Sequence, residues 1–555
     1  MLGISSEYTV PGGRVRAVSI RWLQFASFII LTGASAGPTL PASLTRFVDA
    51  LPIPPRIQAE GHPADLTVTI DQFQTKIHRD LPAVTEWGYD GSSPGPTIEV
   101  ERGQQLTVHW QSRLPVTHLF PAPAGADQVW PDVRSVTHLH GAAVLESDPM
   151  DRTQNNDGWP DNTIVPGEEQ LAEYPNDQTA RLLWYHDHAM GETGRNVAAG
   201  LEGLYEIHDD YERSLNLPAG PYEIPLLLST KQVNADGTLG YSDDISKEFW
   251  GNAAAVNGKL WPYLKVEPRK YRFRIVNAAN ARSFSLKLVD DQSRKPGPAF
   301  YQIGTGSGFL EKTAILDDPS SPSAPRLILA PAERADVIID FSAVAGHTFT
   351  LTNNAYDQSD DEVSLPKIMQ FRVAATASTS DTSSLPLTMQ PIPRLDPAAA
   401  KAARQIVFDT MKMPDGSDML LLNGKRWHDP IAERPVLGTT EVWDLVNPLI
   451  ATHPFHIHMV QFQVLDRRLF DASAYIKTGK ITYLADAVPP APNEMGWKDT
   501  VRALPQMVTR IIIRFGPYPG YYVYHCHILE HEDMDMMRPF QVVAAPESDS
   551  ADNSQ

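Results

Sequence analysis

Most of the chain beyond residue 60 alternates hydrophobic and polar positions with a period of two. In DLTVTI (65–70), Leu66, Val68 and Ile70 alternate with polar residues. The same pattern recurs in PTIEVERGQQLTVHW (96–110), YRFRIVN (271–277) and TRIIIRF (509–515). Because successive side chains of a strand point to opposite faces, these runs predict half-buried β-strands. No long stretch has a helical period, so the pattern predicts an all-β fold built from sandwich domains.

Segments rich in turn-forming residues divide these strands into three groups. NLPAGPYEIP (216–225) indicates a first boundary, and the Pro/Ser-rich DDPSSPSAP (317–325) is typical of a loop insertion. AATASTSDTSSLPLTMQPIPRLDP (374–397) is typical of an interdomain linker. The predicted organisation is a signal-like segment over 1–44, β-domains over 45–210, 211–373 and 398–545, a linker over 374–397, and a polar tail over 546–555.

The N-terminus has the composition of a targeting segment. Arginines at positions 14, 16 and 21 precede an apolar run over residues 22–31, and the small-residue sequence ASA follows at 34–36. This pattern predicts a removable secretory signal, and hence a periplasmic or secreted protein without a stable membrane anchor after cleavage. The alternative is an N-terminal arm without a targeting role. The run is short for a bilayer-spanning helix.

Charge and cysteine content exclude two classes of protein. The 555 residues carry a formal net charge of −20, which argues against nucleic-acid binding because phosphate contacts need clustered Lys and Arg. Cys526 is the single cysteine, so no internal disulfide can form. A lone cysteine is often a small buried hydrophobe, but the neighbours of Cys526 indicate a different role.

Ten of the seventeen histidines fall into four short motifs. These motifs are THLHG (137–141), WYHDHAMG (184–191), THPFHIHMV (452–460) and YHCHILEHEDMDMM (524–537). Residues i and i+2 of a strand share a face, so each His-x-His pair can aim at one metal centre or at two neighbouring centres. Eight imidazoles in four pairs suit a cluster of several ions between the first and third domains. Neutral imidazole suits copper, zinc, iron and nickel.

Cys526 is predicted to bind a different metal from its neighbours. In an extended strand its side chain points away from the face that carries His525 and His527. The remaining motif members, His453, His531 and Met536, can complete its site. Two histidines, one cysteine and a weak methionine form the ligand set of a blue-copper electron-transfer site, whereas zinc does not use a thioether. Met534 and Met537 are alternatives to Met536 as the weak ligand.

With these motifs in place, the sequence resembles the multicopper oxidases, and within them the bacterial laccase and bilirubin oxidase branch typified by spore-coat laccase. The resemblance extends over about residues 45–545. Four stretches carry it beyond the histidine motifs: FVDALPIPPRIQ (47–58), NGKLWPYLKVEPRKYRFRIVNA (257–278), LAPAERADVIIDFS (329–342) and LLNGKRWHDP (421–430). It implies three cupredoxin-like Greek-key β-sandwich domains and four copper ions.

The resemblance also implies a ligand set for each copper. His453, Cys526, His531 and Met536 match the type 1 copper; His138 and His456 match the type 2 copper; His140, His186, His188, His458, His525 and His527 match the type 3 pair. It further implies two acids for proton delivery, Glu532 and Asp157. Because the loop after THLHG is longer than the branch pattern, Asp148 competes with Asp157 for the second role. Four protons per oxygen molecule require such a relay.

The implied activity is that of a laccase-like oxidase. Phenols, aromatic amines or bilirubin-like pigments would lose single electrons at the type 1 copper, and oxygen would be reduced to water at the trinuclear cluster. The partners are thus a small aromatic reductant and oxygen. An axial methionine favours a lower type 1 potential than an apolar residue would. One alternative is an oxidase for cuprous, ferrous or manganous ions, and a more distant one is a copper-free structural cupredoxin protein.

Overall fold

The computed structural model describes residues 44–544 with gaps at 123–132, 245, 322, 356–363 and 414–417. Most of the predicted signal-like segment and the predicted polar tail lie outside the described residues. The described strands form three pairs of sheets in chain order. We call these pairs the first, middle and third sandwich. This arrangement, mostly β with short helices, confirms the predicted all-β class.

The first sandwich consists of a five-stranded sheet in the order β1-β4-β9-β8-β6 and a four-stranded sheet in the order β3-β2-β5-β7. Its strands are β1 (Arg56–Gln58), β2 (Ala64–Thr75), β3 (Val84–Tyr89), β4 (Thr97–Glu101), β5 (Leu106–Ser112), β6 (Thr137–His140), β7 (Glu169–Tyr174), β8 (Arg181–Asp187) and β9 (Glu202–His208).

The middle sandwich consists of an eight-stranded sheet, in the order β13-β12-β10-β15-β20-β17-β18 with β11 paired to β10, and a five-stranded sheet in the order β14-β22-β21-β16-β19. Its strands are β10 (Glu223–Val233), β11 (Leu239–Gly240), β12 (Ala253–Val256), β13 (Lys259–Leu260), β14 (Tyr263–Val266), β15 (Lys270–Asn277), β16 (Phe284–Asp290), β17 (Phe300–Thr305), β18 (Gly308–Leu316), β19 (Leu327–Leu329), β20 (Arg334–Asp340), β21 (Thr348–Asn353) and β22 (Lys367–Val373).

The third sandwich consists of a five-stranded sheet in the order β24-β23-β25-β29-β27 and a four-stranded sheet in the order β28-β26-β30-β31. Its strands are β23 (Ala402–Lys412), β24 (Asp418–Leu422), β25 (Thr440–Asn447), β26 (His453–Ile457), β27 (Phe462–Leu469), β28 (Thr500–Ala503), β29 (Met507–Arg514), β30 (Gly520–Cys526) and β31 (Met537–Val542).

Helices are short and lie between strands. The α-helices are α1 (Thr193–Ala199), α2 (Asp210–Ser214), α3 (Ala472–Thr478) and α4 (Leu529–Asp533), and 3-10 turns occupy Gly220–Tyr222, Pro397–Ala399 and Pro492–Glu494. Within the described part of the chain, none of these helices has the length and apolar character needed to cross a membrane. The segment predicted as a loop insertion, 317–325, lies between β18 and β19.

Each sandwich contains a parallel pair formed by an early strand and a later strand of the same sheet. β2 runs parallel to β5, β10 to β15, and β23 to β25, although most neighbouring strands are antiparallel. A parallel pair cannot be joined by a tight hairpin, so the chain must cross over to return. The recurrence indicates three copies of one topology. Each copy has its own buried hydrophobic core, and the third core contains Cys526 and Met536 among its members.

Candidate metal centres

Strand register brings the predicted histidine pairs together. In the first sandwich, β6 pairs antiparallel with β8 so that His138 lies opposite His186. In the third sandwich, β26 pairs with β30 so that His456 lies opposite His525. All eight histidines of the four His-x-His pairs are at most 1% exposed. Burial of so many polar rings requires partners for their nitrogens.

The two sets of histidines pack against each other across the first and third sandwiches. The ring of His138 stacks on that of His458 with centroids 3.8 Å apart, and His140 stacks on His456 at 3.6 Å. His527 lies 5.1 Å from His140 and 5.3 Å from His186, measured between ring centroids. The structure therefore gathers all eight of these histidines into one cluster, which we call the histidine cluster.

Backbone carbonyls fix the tautomer of three cluster histidines. Each donates its Nδ1–H to a carbonyl oxygen: His138 to Asp157 (2.5 Å), His186 to Asp187 (2.8 Å) and His456 to Asp499 (2.9 Å). A carbonyl can only accept, so the proton sits on Nδ1 and the Nε2 lone pair is free. These three Nε2 atoms are buried and have no hydrogen-bond partner among the described residues.

Two carboxylates orient three more histidines. Glu532 places Oε1 3.1 Å from His188 Nδ1 and Oε2 2.9 Å from His525 Nδ1, and Asp157 Oδ2 lies 2.9 Å from His458 Nδ1. Burial acts to raise the pKa of Glu532, but the two facing imidazoles outweigh it and lower that pKa to about 2. The ionised Glu532 carboxylate therefore faces both Nδ1 atoms and favours their protonated form, and the Cys526 carbonyl, 3.1 Å from His525 Nδ1, does the same for that ring.

The Nε2 atoms of these three histidines converge on one point. His458 Nε2 lies 3.3 Å from His188 Nε2 and 3.3 Å from His525 Nε2. Metal–imidazole bonds of about 2.0 Å at tetrahedral angles separate ligand nitrogens by about 3.3 Å. Lone pairs that face each other in a buried site repel unless a cation lies between them. The residues thus fit a metal ion, and the all-imidazole donor set suits copper.

His140 is oriented in the opposite sense. Its Nε2 lies 3.1 Å from Thr500 Oγ1 and 3.4 Å from Asp499 Oδ1, whereas its Nδ1 is buried without a partner among the described residues. Both ring nitrogens of His527 also lack a partner there. A metal in the cluster would therefore meet His140 through Nδ1, unlike the other oriented histidines.

Cys526 faces away from the cluster, as strand alternation predicts. Its Sγ lies 3.4 Å from His453 Nδ1 and 3.6 Å from His531 Nδ1, while the adjacent His525 belongs to the cluster. All three side chains are buried, and we call them the cysteine site. Burial raises the pKa of the Cys526 thiol well above its usual value, so a bound metal would be needed to hold it as thiolate.

Of the three candidate methionines, Met536 makes two backbone hydrogen bonds to the cysteine site, whereas Met534 makes one, in which its N–H donates to the His531 carbonyl at 3.2 Å. The Met536 carbonyl accepts from the Cys526 N–H at 3.0 Å and its own N–H donates to the His531 carbonyl at 2.9 Å. It packs in the same hydrophobic core as Cys526, whereas Met537 packs in a separate cluster with Trp427. This packing supports Met536 as the weak ligand.

The structure also distinguishes the two aspartates that compete for the second acidic role. Asp157 is 2% exposed and contacts the histidine cluster, whereas Asp148 is exposed and accepts from the backbone N–H of Met150 at 3.1 Å. Burial and the neighbouring Glu146 raise the pKa of Asp157, so it holds a proton more readily than a surface aspartate. Asp157 is the aspartate placed to act on the cluster.

Several residues that contact the metal-site histidines lie outside the four histidine motifs. Asp499 and Thr500 contact His140 and His456, and Glu248 places Oε1 3.2 Å from His531 Nε2. Asp499 and Thr500 belong to GWKDT and Glu248 to KEFW. Neither stretch contains a metal-ligand spacing, so no local signal could have marked them.

We expect the metal-free protein to lose stability as the pH falls from 7 to 4.5. Burial lowers the pKa of His186 to about 3 and, against the opposing effect of Glu532, that of His188 to about 4. The unfolded chain, with a histidine pKa of about 6.5, binds more protons over this range, so protonation favours unfolding. Each histidine accounts for about 2–3 kcal/mol. Denaturant titrations of metal-free protein at both pH values would measure this loss.

The control for this experiment is the His186→Gln variant. It removes one titrating ring, so its unfolding free energy should vary less with pH than that of the unaltered chain. An unfolding free energy that is the same at pH 7 and pH 4.5 in the metal-free protein would show that the buried rings do not govern stability.

Comparison with known proteins places the chain among enzymes with such sites. Residues 132–212 and 397–546 each match a multicopper oxidase family model. The laccase of Bacillus subtilis is 42% identical over 529 residues, which cover 90% of this chain and 99% of that protein. The bilirubin oxidase of Albifimbria verrucaria is 34% identical over 533 residues, which cover 90% of this chain and 82% of that protein.

Solved structures agree with the sequence relatives. The crystal structure of a laccase from Pediococcus acidilactici superposes with a TM-score of 0.70 at 28% identity, and the match covers 91% of this chain and 96% of that one. The two family-model matches coincide with the regions that hold the histidine cluster and the cysteine site. The middle sandwich, which holds none of the predicted ligands, lies between them.

Proposed function

This chain belongs to the multicopper oxidase family and is laccase-like, and we propose that it carries four copper ions, takes single electrons from phenols, aromatic amines or bilirubin-like pigments, and reduces oxygen to water. The observation that carries the proposal is the position of Cys526. It forms a separate site with His453 and His531, yet its covalent neighbours, His525 and His527, belong to the histidine cluster. The names of the relatives, laccase and bilirubin oxidase, support the substrate classes.

Residue roles follow from this geometry. Bound copper would supply the one-electron redox chemistry at both sites. The two ring nitrogens of His531 face different residues. Nδ1 faces Cys526, and Nε2 faces Glu248, whose side chain is 24% exposed. His531 is therefore the edge of the cysteine site nearest to solvent, where a reductant would make contact. From Cys526, one residue of backbone in either direction leads to a cluster histidine.

Proton supply falls to the two buried acids. Reduction of one oxygen molecule to two waters consumes four electrons and four protons. Glu532 touches two cluster histidines and Asp157 touches a third as well as His138 through its carbonyl. Glu532 is ionised there, so it can accept a proton and pass it on, whereas Asp157, whose pKa is raised by burial, can also hold one next to the site of reduction. We assign this role to both.

The test is the stoichiometry of oxygen uptake by the copper-loaded protein with a phenolic dye. Four one-electron oxidations of the dye per oxygen molecule, with no peroxide released, would establish the proposed reaction. Peroxide in amounts equal to the oxygen consumed would instead show a two-electron reduction. It would contradict the role given to the histidine cluster.

Glu248 favours a second candidate, oxidation of a metal ion. A carboxylate in contact with His531, the solvent-side edge of the cysteine site, could bind a cuprous, ferrous or manganous ion beside the point of electron entry. Carboxylate oxygens suit manganous and ferrous ions better than the softer cuprous ion. The same carboxylate could also accept a hydrogen bond from a phenol. Binding of a metal-ion substrate would depend on the negative charge of Glu248, whereas binding of a phenol would need only a hydrogen-bond acceptor.

If metal ions are substrates, Glu248→Gln should lower kcat/KM for ferrous ion by roughly tenfold or more, because it removes a charge next to the bound cation. The kcat/KM for a neutral phenol should change by less than about threefold, since glutamine still accepts a hydrogen bond. Steady-state kinetics on both substrates would measure this. Asp243→Asn, an exposed acid in the same segment, is the control. Equal losses on both substrates would remove support for the metal-ion candidate.

A further inference from the structure

A buried ion pair connects the middle sandwich to the histidine cluster. Arg334, the first residue of β20, donates from Nη1 to Asp499 Oδ1 at 2.7 Å and from Nη2 to Asp499 Oδ2 at 2.5 Å. The two side chains are 1% and 3% exposed. A two-pronged Arg–carboxylate contact adds geometric specificity to the attraction between the charges. The middle sandwich contains none of the predicted ligands, so this contact is not explained by ligation.

Asp499 and Thr500 contact two stacked cluster histidines at the ring nitrogens that point away from the cluster. The Asp499 carbonyl accepts from His456 Nδ1 at 2.9 Å, and its Oδ1 lies 3.4 Å from His140 Nε2. Thr500 Oγ1 donates to Asp499 Oδ1 at 2.9 Å and lies 3.1 Å from His140 Nε2. Each ring therefore turns its other nitrogen, His456 Nε2 or His140 Nδ1, into the cluster. Both of those nitrogens are buried without a partner among the described residues.

Two glycines leave the space that the ion pair fills. A Cβ on Gly141, the residue after His140, would lie 2.7 Å from Asp499 Oδ2 and 2.9 Å from Arg334 Nη2. A Cβ on Gly306 would lie 2.1 Å from Arg334 Cζ. Real Cβ atoms do not approach neighbours this closely. Segments of all three sandwiches are therefore fitted around this one contact.

We propose that Arg334 and Asp499 are positioning residues for the type 2 copper, the ion that His138 and His456 would hold. The inference rests on the proposed function. Arg334 fixes the Asp499 carboxylate. That carboxylate faces His140 Nε2 and accepts from the Thr500 hydroxyl, whose oxygen lies 3.3 Å from His456 Nδ1, so its position sets the orientation of both rings. An ion with two protein ligands depends strongly on each of them. Loss of a hydrogen-bond partner behind a metal ligand typically weakens metal binding by roughly 10- to 100-fold.

The test uses the copper-loaded full chain and two variants, Asp499→Asn and Arg334→Lys. Asn puts an amide N–H against the Arg334 guanidinium, and Lys keeps the charge but loses the two-pronged geometry. Copper per chain, the type 2 electron paramagnetic resonance signal and the visible absorption band of the cysteine site are measured during titration with a copper chelator. We expect both variants to lose one copper per chain, with its type 2 signal, at roughly 10- to 100-fold lower chelator concentration, while the visible band persists.

The matched control is Asp336→Asn. Asp336 lies on the same strand as Arg334 and forms a buried two-pronged pair with Arg272, whose Nε lies 2.8 Å from Oδ1, but neither residue contacts a cluster histidine. This variant should keep its type 2 signal at the wild-type chelator concentration. Equal loss in the control would reduce the effect to general destabilisation and overturn the proposal.

The remaining outcomes are also decisive. If Asp499→Asn fails to fold, which the visible band reports in the same sample, the milder Arg334→Lys variant carries the test. Wild-type copper retention and an unchanged type 2 signal in a folded variant would overturn the positioning role while leaving the proposed function intact. An unaltered chain that binds no type 2 copper would overturn the proposed function, and this inference with it.

Discussion

Replacing Cys526 with serine should abolish oxidase turnover, with a fall of more than about a thousandfold. Serine keeps the size of the side chain but offers no thiolate. Cys526 Sγ lies 3.4 Å from His453 Nδ1 and 3.6 Å from His531 Nδ1, and the backbone on either side of Cys526 leads to a cluster histidine. The visible band of the cysteine site should vanish as well. Oxygen uptake and absorption spectra of the copper-loaded variant would measure both losses.

The copper content of the histidine cluster is the internal control for this variant. Because Cys526 faces away from His525 and His527, Cys526→Ser should keep the cluster copper, and the type 2 signal should remain at the wild-type intensity. Turnover within tenfold of wild type would show that electrons reach the cluster by another route. Loss of all copper would show that the two sites are not separate.

Replacing Glu532 with glutamine should slow oxygen reduction by about 10²- to 10⁴-fold, the range that positioned acid–base groups contribute. Glu532 is fully buried and touches both His188 Nδ1 and His525 Nδ1. An amide can neither hold nor pass a proton at that point. The cysteine site should still take electrons from the phenol, so its visible band should stay bleached during turnover and return slowly when oxygen is added.

Glu530→Gln is the matched control for this prediction. Glu530 lies two residues earlier in α4 and is equally buried, but it accepts from Tyr241 Oη and Asn280 Nδ2, both at 2.8 Å, and contacts no cluster histidine. Its variant should reoxidise at nearly the wild-type rate. A Glu532→Gln variant with full copper content and unchanged reoxidation would show that protons arrive without Glu532.

Much of the fold and of the metal sites could be predicted from the sequence because their determinants are local. Strand alternation alone places Cys526 and His525 on opposite faces, and the structure shows Cys526 directed to His453 and His531. The predicted strand over 65–70 lies within β2, and the one over 509–515 lies within β29 except for its last residue. Spacing within a motif is preserved in the folded chain, so a pattern read over a few residues remains valid there.

The parts that could not be predicted depend on contacts between distant segments. Arg334 and Asp499 are separated by 165 positions, and Glu248 and His531 by 283. No spacing rule connects residues that far apart, since only the packing of the sandwiches brings them together. The choice between Asp157 and Asp148 had the same origin: both follow THLHG, and only the path of the loop decides which one reaches His458.

The most direct test of the account is the visible absorption spectrum of copper-loaded wild-type protein, with copper counted per chain. We expect an intense band at about 600 nm, where a copper–thiolate centre absorbs, and four copper ions per chain. A colourless protein would show that Cys526 does not bind copper. That result would contradict the assignment of the cysteine site, and the electron path through residues 525–527 would lose its starting point.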